Sequence, residues 1–339
     1  MKYIFFVLTM VFVLMTCEND IPFKRKDNPP KLILNSVFEA EKDTNYIMVG
    51  LTGYEHARIV KDATVNVYVN DVLREQITEA SSIKYASISS FWGELLLYKT
   101  SLKLLPGDHV KIEAKTKDGK YHAWGEDIVP VPNHIEHIDT VSYVKGTDWD
   151  FYDNTYLRIK ATFTDNPAQK NYYRLVAVRK DTLHYMTDTD SADMIWVTEN
   201  KMFLDISEDI VLNEGRLPTE DNGLISQTEN RAFIFDDSQL NGTYTMTVSA
   251  YLSGRYYYGE TDFEYVSTAI DLYLISITEA EYYYLRALNL FYSDNYEEAI
   301  SQPVSFPGNI QGGVGIIGFE AGTSHTIHLP DYISSKNAH

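Results

Sequence analysis

The chain of 339 residues contains a single cysteine. No disulfide framework, thiolate zinc cluster or CxxC redox pair can therefore be built within it. Positive charge is also scarce: Lys+Arg 29 stand against Asp+Glu 48, a formal net charge of −19. Such a body repels phosphate and gains nothing from counterion release, which excludes nucleic acid as a partner. GxSxG is absent, and so is the glycine-plus-distal-glutamate pattern of a calcium loop. What the chain does have is a hydrophobic share of 44% with 23% charged residues, enough to fold around a core, and an ample aromatic complement of Tyr 26, Phe 15 and Trp 4. Its length predicts two domains.

Lys2 is followed by an apolar run from Ile4 to Met15, interrupted only by Thr9. This reads as a secretory signal over residues 1–16; it is too short for a bilayer span and lacks the stripe of a core helix. The lone cysteine stands where cleavage would fall. Leu14-Met15-Thr16-Cys17 resembles the lipobox of bacterial lipoproteins, although Thr16 takes a place usually held by Gly, Ala or Ser. The resemblance implies that Cys17 carries a diacylglyceryl group, with acyl chains such as palmitate. At roughly 0.8 kcal/mol per buried CH₂, two or three chains make attachment effectively permanent. Residues 17–30 then form a tether, polar and closed by Pro29-Pro30. The acidic body stands off anionic headgroups. Glu18 and Asp20, just past the cysteine, resemble the surface-export signals of Bacteroidetes lipoproteins.

From Lys31 onward the pattern is that of strands. Ala63 to Val69 alternates with period two, so Val65, Val67 and Val69 share a face before Asn70-Asp71 turns the chain. Leu104-Leu105-Pro106-Gly107-Asp108 marks a turn, and Lys117-Asp118-Gly119-Lys120 a hairpin tip. Pro130 and Pro132 mark a boundary. Ala80 to Tyr98 reads as a loop or short helix. Beyond the boundary, Tyr156–Thr164 and Asn171–Arg179 read as strands around an Asp165-Asn166-Pro167-Ala168 turn. Thr243–Ala250 alternates, with Tyr244, Met246, Val248 and Ala250 on one face. One helix is marked by a Thr278/Glu281 capping box and a stripe of Tyr284, Leu285, Leu288, Phe291 and Tyr292. Val304–Phe306, Val314–Phe319 and Thr326–Leu329 read as strands. The expected fold is mainly β: two β-sandwich, immunoglobulin-like parts over 31–132 and 133–330, one short helix near the C-terminus, and a polar tail at 331–339.

Three elements carry a family resemblance: Phe235-Asp236-Asp237-Ser238-Gln239-Leu240-Asn241-Gly242, Glu281-Tyr282-Tyr283-Tyr284-Leu285, and Pro303-Val304 followed by Asn309-Ile310-Gln311-Gly312-Gly313-Val314-Gly315-Ile316-Ile317-Gly318. Together with the Leu105–Asp108 turn and the Val129–Pro132 boundary, they resemble a Bacteroidetes lipoprotein family of unknown function, domain of unknown function 4249. The resemblance covers essentially the whole chain after the signal. It implies an outer-membrane location, facing the cell exterior, beside SusC/SusD-like, TonB-dependent uptake systems.

Gly313-Val314-Gly315-Ile316-Ile317-Gly318 meets GxGxxG by spacing, but no helix and no βαβ unit follow. These glycines read as a bulge or close packing in a C-terminal strand. His134-Ile135-Glu136-His137 is one residue short of HxxEH and lies in an extended segment; His325 and His328 fall on opposite faces of a strand. Asp188–Asp193 and Asp148–Asp153 read as solvated loops. The sequence thus assigns no catalytic residue, no metal ligand and no cofactor. Aromatic clusters such as Tyr256-Tyr257-Tyr258 alternate in strands, so some rings must face outward; the ligand-binding candidates are Trp149 among Asp148, Asp150 and Tyr152, with Tyr152 itself, and Tyr257. The expected role is a non-enzymatic, lipid-anchored accessory or binding protein of a TonB-dependent nutrient importer. Its partners would be the transporter, its lid lipoprotein, and a glycan or peptide. A structural or adhesive surface lipoprotein is the alternative, and a glycan or peptide hydrolase a third reading.

Overall fold

Period-two alternation sets each strand's buried face. A computed structural model describes residues 29–53, 56–86, 92–144, 155–185, 194–213, 230–240, 242–252, 263–293 and 304–333. Cys17, Trp149, Tyr152 and Tyr257 lie outside the described residues. The account that follows concerns the unit Lys31–His339.

Before the Val129–Pro132 segment come β1 (Leu32–Glu39), β2 (Asn45–Leu51), β3 (Arg58–Ile59), β4 (Thr64–Val69) and β5 (Val72–Ile77). These are followed by β6 (Ser81–Ala86), β7 (Trp92–Thr100), β8 (His109–Lys115) and β9 (His122–Ile128). After it come β10 (His137–Val144), β11 (Thr155–Thr164), β12 (Tyr172–Tyr185), β13 (Met194–Met202), β14 (Leu204–Asp205) and β15 (Ile234–Asp236). The chain continues with β16 (Thr243–Tyr251), β17 (Phe263–Ile277), helix α1 (Glu279–Phe291), β18 (Gly313–Val314) and β19 (Ile317–Ile333).

These strands form one large sheet and two small ones. The large sheet runs β13-β12-β17-β19-β1-β2-β7-β6, with β15, β18 and β3 attached to its sides. The small sheets are β5-β4-β8-β9 and β10-β11-β16-β14. Each small sheet closes one hydrophobic core. The first joins Leu32, Leu34 and Phe38 of β1 to Val65, Val67 and Val69 of β4, as the alternation predicts, and to Ile112 of β8. The second joins Leu175 and Ala177 of β12 and Leu272 and Leu274 of β17 to Ile159 and Phe163 of β11 and Met246 and Val248 of β16.

Strand β19 belongs to both cores. Its Ile317 and Phe319 enter the first, Phe319 stacking on Phe38 at 5.4 Å, while Ile327 and Leu329 enter the second. All four are odd-numbered and so share one face of the large sheet. The fold is therefore a mainly β protein of sandwich layers in which one sheet is common to both halves. Val129 packs in the first core and Ile135 in the second. Between them Asn133 secures the crossing, its N–H donating to Ser276 Oγ at 3.2 Å and its Nδ2 to the Thr164 carbonyl at 3.0 Å.

The turns follow their residue chemistry. Asn70 and Asp71, at φ 52° and 65°, close the β4–β5 hairpin, the left-handed pair that a two-residue loop requires. In the C-terminal glycine segment, β18 pairs in parallel with β1 as Leu32↔Gly313, and β19 resumes the pairing as Ser36↔Ile317. A Cβ on Gly313 would sit 2.4 Å from the Leu32 carbonyl oxygen; one on Gly315, at φ +121°, would sit 2.3 Å from that of Leu34. Close approach to β1 is thus what these glycines permit.

Four expectations are corrected. Within Ala80–Tyr98, read as a loop or short helix, the described residues form strands: β6 and β7 pair there, and β7 joins β2 as Ile47↔Tyr98. The run Leu95-Leu96-Leu97 hides the alternation that would have marked a strand. Val304–Phe306 forms no strand; Phe306 packs against Tyr284 and Phe291 of α1 instead, at 5.7 and 5.8 Å. In α1, Thr278 is the N-cap but makes no side-chain cap bond, because its Oγ1 accepts the Phe319 N–H at 3.3 Å. The helix face that packs down is also different, consisting of Glu281, Tyr282, Leu285 and Asn289, while Phe291 and Tyr292 stay exposed.

Candidate ligand-binding face

The face of β10-β11-β16 that points away from the second core is built by strict alternation. Leu157, Ile159, Ala161 and Phe163 of β11 turn inward, leaving Tyr156, Arg158, Lys160 and Thr162 outward. Register then places outward residues of the three strands in rows: Tyr143↔Tyr156↔Tyr251, Val141↔Arg158↔Ser249 and Asp139↔Lys160↔Thr247. Hydroxyl pairs continue along the face, Thr162 to Thr245 and Thr164 to Thr243, each at 2.9 Å. Such cross-strand pairs hold the surface at fixed spacing.

At the upper row the aromatic rings stack. Tyr143 lies against Tyr156 at 5.5 Å with planes 20° apart, and Tyr156 against Tyr251 at 5.1 Å. The Arg158 guanidinium sits over the Tyr143 ring at 5.0 Å, and the Tyr143 hydroxyl reaches Ser249 Oγ, two strands away, at 3.2 Å. Ring–ring and cation–π contacts of this kind each contribute about 0.5–1.5 kcal/mol at partly exposed sites. The stack is therefore pre-ordered, and a ligand meeting it would cost little further side-chain entropy. Val141 on the same face is exposed, and Tyr251 is 43% exposed.

Arg158 is aimed by a second contact, an ion pair with Glu208 at 2.5 Å. Glu208 owes its place to Asp209, which is 2% exposed and accepts four hydrogen bonds. Its Oδ1 takes the N–H groups of Val211 and Leu212 at 3.0 and 2.8 Å; its Oδ2 takes the Thr247 N–H at 2.9 Å and the Tyr244 hydroxyl at 3.0 Å. This carboxylate ties segment 206–213 to β16. Burial, followed by the Asp209 charge, raises the Tyr244 phenol pKa.

The residues singled out from sequence fall on segments 145–154 and 253–262, outside the described residues. The strands that lead into those segments end at the stack, β10 at Val144 and β16 at Tyr251. Tyr143, Tyr156, Tyr251 and Arg158 were not singled out. Alternation could put Tyr156 and Arg158 on one face, but joining them to Tyr143 and Tyr251 requires the register. Of the histidines weighed, His137 pairs with Asp139 at 3.1 Å on this same face, and no group of three or more His, Cys, Asp or Glu residues able to hold a metal occurs among the described residues. Among them, too, no helix is long and apolar enough to cross a membrane.

Two cores on a shared sheet define a mainly β protein of β-sandwich type. The chain belongs to the family described as Domain of unknown function (DUF4249), whose model matches residues 18–326. No curated protein matches the chain.

Proposed function

We propose that this chain is a lipid-anchored, non-enzymatic binding or accessory protein of the outer membrane, facing the cell exterior and serving a TonB-dependent nutrient importer of SusC/SusD type. The observation that carries the binding role is the Arg158–Tyr143–Tyr156–Tyr251 stack, a rigid amphipathic surface with little entropy left to lose. The anchor is assigned to Cys17 by its place after the apolar run, and the family match begins at the next residue. Tethering confines the body near the transporter, so weak contacts with transporter, lid lipoprotein, glycan or peptide suffice through raised effective concentration. The test is a pull-down of the full-length protein from mildly solubilised membranes: co-purification of an outer-membrane transporter supports the reading, and its absence under mild conditions removes it.

A structural or adhesive role has one feature in its favour. Strand β13 ends the large sheet and exposes three consecutive apolar residues, Ile195, Trp196 and Val197, with Trp196 60% exposed. Free edges of this kind accept added strands. Concentration-dependent self-association of the purified body would favour that reading.

A further inference from the structure

Beneath α1, on the outer face of the large sheet, lies a cluster of ionisable groups that the binding face does not use. Glu281 projects from the first turn of α1 and is 1% exposed. It lies against Gly318 of β19, two residues from Glu320 on the same strand face, and the charged groups that act on it are Glu320 and Arg174 of β12. Arg174 Nη1 pairs with Glu320 Oε1 at 3.0 Å, and its Nε has no hydrogen-bond partner. Two carboxyl groups thus lie near one guanidinium, which is paired to Glu320. If both were ionised, Glu281 would carry a charge away from water with Arg174 already paired to Glu320, which a buried site does not readily tolerate. Glu281 Oε2 has no hydrogen-bond partner, a cost that a neutral acid bears far more readily than a carboxylate. The backbone is fitted to this pair: a Cβ on Gly318 would sit 2.9 Å from Glu281 Oε2.

We propose that Glu281 is a neutral acid donating its proton to the Arg174-paired Glu320 carboxylate, and that this shared proton latches α1 onto the sheet. Loss of the proton as pH rises sets two carboxylates against each other under the helix and releases it. Burial, followed by the Glu320 charge, raises Glu281 well above the ordinary carboxylate range, with Arg174 opposing. The sign follows from that direction. The folded state holds a proton that the unfolded state has lost, so the stabilisation is complete below the ordinary carboxylate pKa and disappears as pH rises through the raised value.

The other ionisable groups around the pair are few. On α1 itself Glu279 accepts from the Tyr172 hydroxyl of β12 at 2.8 Å, and its charge contributes to a raised pKa at Asp127 of β9, where burial is the larger cause. Lys201 of β13, lowered first by burial and then by Arg174, lies near Arg174 and Glu320. From β15 the contact is the apolar Ile234. The far end of the helix is held by uncharged bonds, Asn289 Oδ1 taking the Ala232 N–H at 2.9 Å and its Nδ2 donating to Asn230 Oδ1 at 3.0 Å. The latch therefore acts on the N-terminal half of α1.

Amide hydrogen exchange on the full chain between pH 6 and 9 tests this, read as protection relative to the intrinsic rate. Protection of the Tyr282–Leu285 amides should fall with rising pH by up to about tenfold per unit, the limit set by one proton, and level off once Glu281 has ionised in the folded state, while β11 and β16 stay unchanged. In Glu281→Gln that fall should vanish. Glu320→Gln provides an independent check should the first variant fail to fold: burial still raises Glu281, but with the Glu320 charge gone and Arg174 beside it the acid ionises at lower pH, and the fall should level off at lower pH than in the wild-type protein. Protection of α1 independent of pH in the wild-type protein, a fall retained in folded Glu281→Gln, or one that does not move to lower pH in Glu320→Gln, would overturn the proposal.

Discussion

Asn309 grips both backbone groups of Ile317, its Oδ1 accepting the N–H at 2.9 Å and its Nδ2 donating to the carbonyl at 2.8 Å. Ile317 is the first residue of β19, the strand that both cores share, and it is fully buried. Asn309→Ala would leave an N–H and a C=O beside the core without partners, at about 1–3 kcal/mol. Urea denaturation should register the loss as a lower midpoint with an unchanged slope. A larger effect is expected from Gly315→Ala, where positive φ and the Leu34 carbonyl both oppose a Cβ.

The Tyr98 hydroxyl plays a comparable part in the first core, accepting the Ala63 N–H at 2.8 Å and donating to the Val60 carbonyl at 2.9 Å. Tyr98→Phe keeps the ring and removes both bonds. It should cost about 1–3 kcal/mol in thermal or chemical unfolding, with the two backbone groups left dry.

Asp209 supports the aromatic face indirectly. Asp209→Ala removes four hydrogen-bond acceptances from one buried carboxylate, and about 3 kcal/mol or more of stability should go with them. Asp209→Asn retains part of the set and should be milder. Arg158→Ala, by contrast, should leave unfolding nearly unchanged while weakening ligand binding about tenfold, as truncation of an interface anchor does. Calorimetry against a defined panel of oligosaccharides and peptides would read this; equal binding by the variant would count against the face.

The Thr326 hydroxyl, 2.5 Å from Asp271 Oδ1, holds that carboxyl below its usual range; Lys180 at 3.0 Å adds to the effect and burial opposes it. Since the folded pKa is lowered, the stabilisation is present above the unfolded value and disappears as pH falls through the folded one. Thr326→Val should raise the Asp271 pKa, measurable by NMR titration. It should cost about 1 kcal/mol at neutral pH, with the difference vanishing in acid.

Cys17→Ser should free the protein from the membrane fraction while leaving the body folded, because the second unit begins at Lys31 and its cores contain no cysteine. Fractionation with circular dichroism of the released protein checks both halves of that statement.

Local pattern carried much of the architecture. Val65, Val67 and Val69 face inward because alternation leaves them no other common face, and Asn70-Asp71 turns because both residues tolerate left-handed backbone. The capping-box reading failed at α1 for a tertiary reason: β19 passes close enough for Thr278 to receive the Phe319 N–H, and Glu281 is drawn beneath the helix. Ala80–Tyr98 was illegible because three successive leucines mask the period of two.

The sequence by itself determined which side of each strand is apolar, where the chain turns, and where glycine is needed against a neighbouring backbone. Those are properties of neighbours along the chain, set by sterics and by the two-residue repeat. Tertiary structure alone decided that the last strand pairs in parallel with the first, that Tyr143, Tyr156 and Tyr251 form one row, and that Glu281 meets Glu320. Each of these depends on register between segments far apart in sequence, and a slip of one residue would turn every side chain involved to the opposite face.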